Sequence, residues 1–214
     1  MSFNNSAYQK LQAEINNSPQ QTKLLVVSKN RILGDLLPII DNNQKLFGEN
    51  RVQEAREKFS VEFIAKFNLE IHLIGPLQTN KVAPALGFFH TIQSIDRLKL
   101  VGEIEKVIKK SPDKIITKNF FIQVNIGREP QKAGVQLEEL KMLYDECIKA
   151  KLLITGLMCI PPAGQDPEIF FREMHRIRNE LNPNLKLSMG MSNDYKQALK
   201  FNSDLIRIGS LLFS

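Results

Sequence analysis

The stretch Leu24-Leu25-Val26-Val27-Ser28-Lys29 joins a potentially reactive residue to the element that would position it. Its four apolar residues, two of them β-branched, predict a short buried strand ending on a serine and a lysine. Strand side chains alternate, so Lys29, Val27 and Leu25 share one face, and Leu24, Val26 and Ser28 the other. The carboxyl end of a buried strand is where α/β sheets and barrels place their active sites. A partly dehydrated lysine there can lose its proton and form a Schiff base with an aldehyde. Taken alone, the segment is read more simply as an ordinary strand-end lysine pointing into solvent.

Other polar, glycine-containing runs follow apolar segments. Gly48-Glu49-Asn50-Arg51 follows a predicted second strand, and Gly75-Pro76-Leu77-Gln78-Thr79-Asn80-Lys81 a third. Ser188-Met189-Gly190-Met191-Ser192 closes a seventh and Arg207-Ile208-Gly209-Ser210 an eighth. Small residues after strands seven and eight let backbone N–H groups approach an anion, and barrels commonly bind phosphate there. Ser192 and Ser210 add hydroxyl donors. An aldehyde-trapping lysine beside a phosphate cradle suits pyridoxal phosphate. Lys81 and Lys132 stand in loops after strands; either could attract phosphate, and the simpler reading is of solvated surface lysines.

Competing chemistries lack their signatures. The sequence has no G-x-G, no phosphate loop, no H-E-x-x-H and no G-x-S-x-G elbow. His72, His90 and His175 are dispersed and read as structural or surface residues. Cys147 and Cys159 form no C-x-x-C pair, which argues against a zinc or redox motif.

Across 214 residues, hydrophobic content of 43% and charged content of 24% describe an ordinary globular chain. The net charge of +6 is scattered and includes no run of five Lys/Arg, so nucleic acid is not an expected partner. The polar N-terminus has no signal-like core and nothing approaches a membrane span. A cytoplasmic protein is expected.

The elements that must hold these residues alternate. A helix over residues 3–17 precedes the first strand, and a helix near 31–41 follows it, kinked or split at Pro38. After the second strand, Val52, Ala55, Phe59, Phe63 and Phe67 predict one amphipathic helix. Further strands are expected at residues 70–75, 91–95, 119–126, 152–158, 186–189 and 205–208. The intervening helices include one capped by Asp96 and one starting at Asp166-Pro167-Glu168. Eight strands alternating with seven helices imply a parallel sheet, and the count favours a closed (β/α)8 TIM barrel as one domain over residues 1–214. The chain stops six residues after Ile208. The N-terminal helix is therefore expected to cover the eighth outer slot.

With these residues in order, the sequence resembles a known family. Val27-Ser28-Lys29, FGENRVQE from Phe47 to Glu54, HLIGPLQTNK from His72 to Lys81, Gly156-Leu157-Met158, Leu187 to Ser192 and Arg207-Ile208-Gly209 resemble the pyridoxal phosphate homeostasis proteins over nearly the whole chain. The resemblance implies a barrel of the alanine racemase N-terminal type, with Lys29 as the Schiff-base lysine. It makes Ser192, Gly209 and Ser210 phosphate ligands, sets Arg207 against the pyridine nitrogen and places Asn50 beside the ring. Alternation along the eighth strand agrees, since Arg207 shares a face with Leu205 opposite Ile206 and Ile208. Asn50 has a competing role as N-cap of the following helix. Ser210 and Asn30 each stand where the family usually has threonine.

An arginine at the pyridine nitrogen does not readily give up a proton, so the ring would be a weak electron sink. Two-base racemisation needs a group on each face. Alanine racemases draw a tyrosine from a second domain, which is not expected in this chain. Tyr8 and Tyr144 fall on outer helices, while Tyr195 begins a helix near the mouth, where a packing or rim role is expected. The leading reading is a monomeric carrier that buffers pyridoxal 5'-phosphate or delivers it to dependent enzymes. The alternative is a slow racemase.

Overall fold

Parallel pairing of each strand with the next, and of the last with the first, closes the sheet into a barrel. The computed structural model describes residues 3–18 and 21–213. The strands are β1 (Lys23–Val27), β2 (Leu46–Glu49), β3 (Glu70–Leu73), β4 (Thr91–Ile95), β5 (Asn119–Val124), β6 (Ile154–Cys159), β7 (Lys186–Met191) and β8 (Leu205–Ile208). The closing pair sets Leu25 opposite Arg207 and Val26 opposite Ile208.

Alternation divides the apolar residues between two cores. Leu25, Leu46, Phe121, Met158 and Leu205 fill the barrel interior. Their strand neighbours, including Leu24, Val26, Ile206 and Ile208, face outward into the larger layer beneath the helices. That parity aims Arg207 into the barrel.

The helices are α1 (Asn5–Asn16), α2 (Leu33–Asp41), α3 (Val52–Lys58), α4 (Val61–Phe67), α5 (Val82–Leu86), α6 (Leu98–Lys110), α7 (Leu137–Lys149), α8 (Pro167–Leu181) and α9 (Tyr195–Lys200). Helix α1 takes the eighth outer position. On one side it meets the end of α2, through Gln9 to Asn42 at 3.3 Å, and Gln44, through the Tyr8 hydroxyl at 3.4 Å. On the other, Glu14 meets Tyr195 and Lys196 of α9. Tyr8, Leu11 and Ile15 bury its apolar stripe.

Two local expectations change. The segment over 52–67 is two helices, because Phe59 is extended and Ser60 starts α4 by accepting the Phe63 N–H at 3.1 Å. The break lets the fully buried Phe59 ring pack on Phe47, with centroids 6.0 Å apart. Helix α2 runs through Pro38 without splitting. Asp96 does not cap α6, whose N-cap is Arg97 without a side-chain bond, and pairs instead with the Arg97 guanidinium. Asp166 does cap α8, accepting the Glu168 N–H at 3.0 Å. Among the described residues, no helix is long and apolar enough to cross a membrane.

Candidate functional site

The carboxyl ends of the strands surround two joined cavities of about 370 and 680 Å3. Both are lined by Val27, Lys29, Lys132, Ile160, Met191 and Arg207. The first reaches Asn50 and Gln123; the second reaches Ser192, Gly209 and Ser210. All six sequence-predicted residues therefore meet at one mouth.

Lys29 lies just beyond β1, on an exposed turn, and its ammonium makes no hydrogen bond or ion pair among the described residues. Its exposure departs from the dehydrated setting expected for a lysine on a buried strand, because β1 stops two residues earlier. The turn itself is held firmly. Lys58 of α3 donates to the Ser28 carbonyl at 2.5 Å and to Glu49 Oε1 at 2.6 Å. Ser28 Oγ donates to the same Glu49 oxygen at 2.6 Å, and Glu54 accepts the Asn30 N–H at 2.5 Å. Asn30 has φ of 59°, a left-handed conformation that asparagine tolerates better than β-branched residues. Burial raises the Glu49 carboxyl above its usual range, opposed by Lys58 and Ser28. The FGENRVQEA run thus contributes clamps, Glu49 and Glu54, as well as a lining residue.

Asn50 does not cap α3, whose N-cap is Arg51 without a side-chain bond. It lines the cavity instead, and Gly75 allows its backbone to approach. A Cβ at Gly75 would stand 2.2 Å from the Asn50 carbonyl oxygen.

Arg207 is 4% exposed. Its Nη1 donates to the Ser188 carbonyl at 2.6 Å and Ser188 Oγ at 2.9 Å, and Nη2 donates to the Cys159 carbonyl at 2.8 Å. A guanidinium has five N–H donors, so some remain for the cavity that it lines. Burial lowers its pKa. Cys147 and Cys159 are free and buried, their thiols pushed up to about 12 by desolvation.

At the other lobe, the main-chain N–H groups of Gly209 and Ser210 and the hydroxyls of Ser192 and Ser210 make no hydrogen bond among the described residues. Gly190, at φ of 92°, bends the chain ahead of Ser192 beneath α9. Met191 N–H is held by Asp194 at 2.6 Å.

The two loop lysines separate. Lys81 is exposed and lines an adjoining depression, with Arg51 and Gln78, that shares Asn50 and Pro76 with the first cavity. Lys132 is on the cavity wall, paired with Glu129 at 2.5 Å and with the Pro161 carbonyl at 3.2 Å, a placement that the surface-lysine reading missed. Gln123 was also missed. Its Nε2 donates to the Ala133 carbonyl at 3.1 Å while its buried Oε1 has no partner among the described residues. Its place on the inward face of β5, the face of Phe121, was the available signal. Tyr195 turns outward and donates to Glu14 at 2.7 Å, with its pKa pushed up to about 12.

No family model matches the chain. A protein of Aquifex aeolicus named pyridoxal phosphate homeostasis protein is 40% identical over 178 residues, covering 79% of this chain and 76% of that one. The chain belongs to the pyridoxal phosphate homeostasis protein family. PipY of Synechococcus elongatus, solved without PLP, superposes with a TM-score of 0.86 at 30% identity, covering 96% of this chain and 99% of that one. PipY has also been solved with PLP bound. Alanine racemase from Acinetobacter baumannii shares the fold, with a TM-score of 0.74 at 16% identity, over 98% of this chain and 61% of the racemase. A family barrel of this type presents its six candidate positions around a single mouth, with the clamped Lys29 turn on one side and the unpartnered serines on the other.

Proposed function

We propose that this protein binds pyridoxal 5'-phosphate at the barrel mouth and holds it for intracellular vitamin B6 homeostasis, with Lys29 as covalent anchor. The observation that carries the reading is the set of donors with no partner among the described residues at Ser192, Gly209 and Ser210, lining the larger cavity that Lys29 and Arg207 also line. Free N–H and hydroxyl donors suit a phosphate dianion. A primary amine on an open turn suits an aldehyde, and condensation releases one water. Spare guanidinium donors suit an acceptor nitrogen, and the Gln123 amide oxygen is a further open polar atom on the wall.

Bound pyridoxal phosphate can act as an electron sink, most strongly when its ring nitrogen is protonated. Arg207 would offer that nitrogen a hydrogen bond while keeping its own proton. Ser188 and Cys159 fix that guanidinium, while Glu49, Glu54 and Lys58 fix the turn that carries Lys29. Tyr195, bonded to Glu14 in the outer layer, offers no second base. These features favour a carrier that passes pyridoxal phosphate to dependent enzymes over a slow racemase. The reading is of a cytoplasmic monomer, in keeping with free thiols at Cys147 and Cys159.

Absorption spectra on adding pyridoxal phosphate to the protein and to Lys29→Ala test it. The parent is expected to develop a visible band that borohydride fixes to the protein, with no such band in the variant. A parent without the band, or a variant that keeps it, would overturn the assignment.

A further inference from the structure

A chain of hydrogen bonds crosses the barrel from Arg207 to its opposite end. Arg207 Nη1 donates to Ser188 Oγ at 2.9 Å, and Ser188 Oγ donates to Gln93 Oε1 at 2.7 Å, from β7 across to β4. Gln93 Nε2 meets His72 Nδ1 at 2.8 Å, and His72 Nε2 meets Glu70 Oε1 at 2.8 Å. Ser188 and Gln93 are fully buried and His72 is 4% exposed. The Glu70 side chain, 48% exposed, reaches a small cavity of about 120 Å3 at the amino end of the strands.

The direction of every link follows from the carboxylate. An ionised Glu70 only accepts, so His72 Nε2 must carry the proton that it receives. Neutral His72 then accepts at Nδ1, Gln93 presents its NH2 to the imidazole and its oxygen to Ser188, and the single Ser188 hydroxyl proton goes to Gln93. The Ser188 lone pair is left to accept from Arg207. Reversing one link orphans the next, and polarisation along such a chain reinforces each bond.

We propose that Glu70, His72 and Gln93 are positioning residues for Arg207, acting through Ser188 so that the barrel floor sets the orientation and polarisation of the guanidinium at the cofactor mouth. For pyridoxal phosphate binding the inference rests on the function proposed above; the coupling itself belongs to the cofactor-free protein. Besides Glu70 on its own strand, the charged or titratable groups facing His72 are Lys23 of β1, Lys186 of β7 and His90 before β4; Asp204 lines the same floor cavity. Burial lowers the His72 pKa, which favours the neutral form that the chain requires.

The test is a double-mutant cycle in the cofactor-free protein, read at the Arg207 Nε–H resonance, assigned by its loss in Arg207→Lys. Glu70→Gln, a substitution at the half-exposed end, is expected to move that resonance in the parent and to leave it unmoved in a Gln93→Leu background. Ser188→Ala serves as the broken link if Gln93→Leu does not fold. No movement in the parent, or equal movement in both backgrounds as a through-space field would give, overturns the proposal. A parallel titration keeps the two readings apart. Glu70→Gln is expected to weaken pyridoxal phosphate binding by about two- to tenfold, the effect of one ordinary hydrogen bond. A parent that shows the coupling but binds no cofactor would refute the proposed function and leave the chain standing.

Discussion

The two ends of the barrel are built on opposite principles. At the amino end, polar groups are spent on one another. Thr22 donates to the Ser203 carbonyl at 2.7 Å, Asp204 accepts the Leu187 N–H at 2.7 Å, and His72 bonds at both ring nitrogens. At the carboxyl end, Lys29, Ser192 and Ser210 hold donors with no partner among the described residues. Buried polar groups must be satisfied within the protein, whereas groups at an open mouth can be satisfied by water and then by a ligand. The contrast separates what holds the fold from what binds.

If that division is right, removing the unpartnered donors at the mouth changes affinity and leaves stability alone. Ser192→Ala combined with Ser210→Ala removes two donors to a dianion, each worth about 1.5 kcal/mol. The expected result is a loss of about a hundredfold in pyridoxal phosphate affinity by fluorescence titration, with thermal unfolding shifted by less than about 0.5 kcal/mol. A large fall in melting temperature with unchanged affinity would break the comparison.

The floor should answer to pH instead. Burial holds the His72 pKa below its ordinary 6.5. The unfolded chain therefore binds the proton more readily, and stability falls as pH drops from about 6.5 towards the lower folded value. His90 shifts in the same direction through its own burial. His72→Gln keeps an acceptor for Gln93 and a donor for Glu70 but cannot titrate. Urea unfolding between pH 7 and 5 should show a shallower acid slope in the variant, by up to about 1.4 kcal/mol per pH unit. An unchanged slope would remove His72 from the acid response.

Much of this division is legible in the sequence, for a physical reason. Short apolar runs ending in Ser-Lys, Gly-Glu-Asn or Gly-Ser mark a strand and its carboxyl end, so the barrel and the place of Lys29, Arg207 and Ser192 at strand ends follow from local pattern, while their roles follow from the family resemblance. Long-range pairing has no such local mark. Neither the Gln93–Ser188 bond across the interior nor the Lys58 clamp on Ser28 can be read from spacing, because each joins residues that only closure of the barrel brings together. The break at Phe59–Ser60 escaped for the opposite reason: its apolar spacing is helical on both sides, and the break shows only in the Ser60 cap and in the burial of Phe59 against Phe47. Asn50 was ambiguous because the residue type that caps helices is also one that lines polar sites.

The outer layer gives the smallest effect. Tyr195 stands three residues after Ser192, in the run proposed to bind phosphate, yet its hydroxyl bonds Glu14 of α1, on the far side of the sheet from Lys29. That bond is the largest influence holding the Glu14 carboxyl below its ordinary range, with Lys196 adding to it. Tyr195→Phe should therefore cost about 1 kcal/mol at neutral pH, raise the Glu14 pKa measured by carbon-detected NMR, and leave pyridoxal phosphate affinity untouched. A carboxyl depressed in the folded state contributes stability above its unfolded value and loses it as pH falls through the folded one. The gap between parent and variant should accordingly close in acid. A fall in cofactor affinity, or in any amino-acid racemisation that the parent shows, would instead bring Tyr195 back to the mouth.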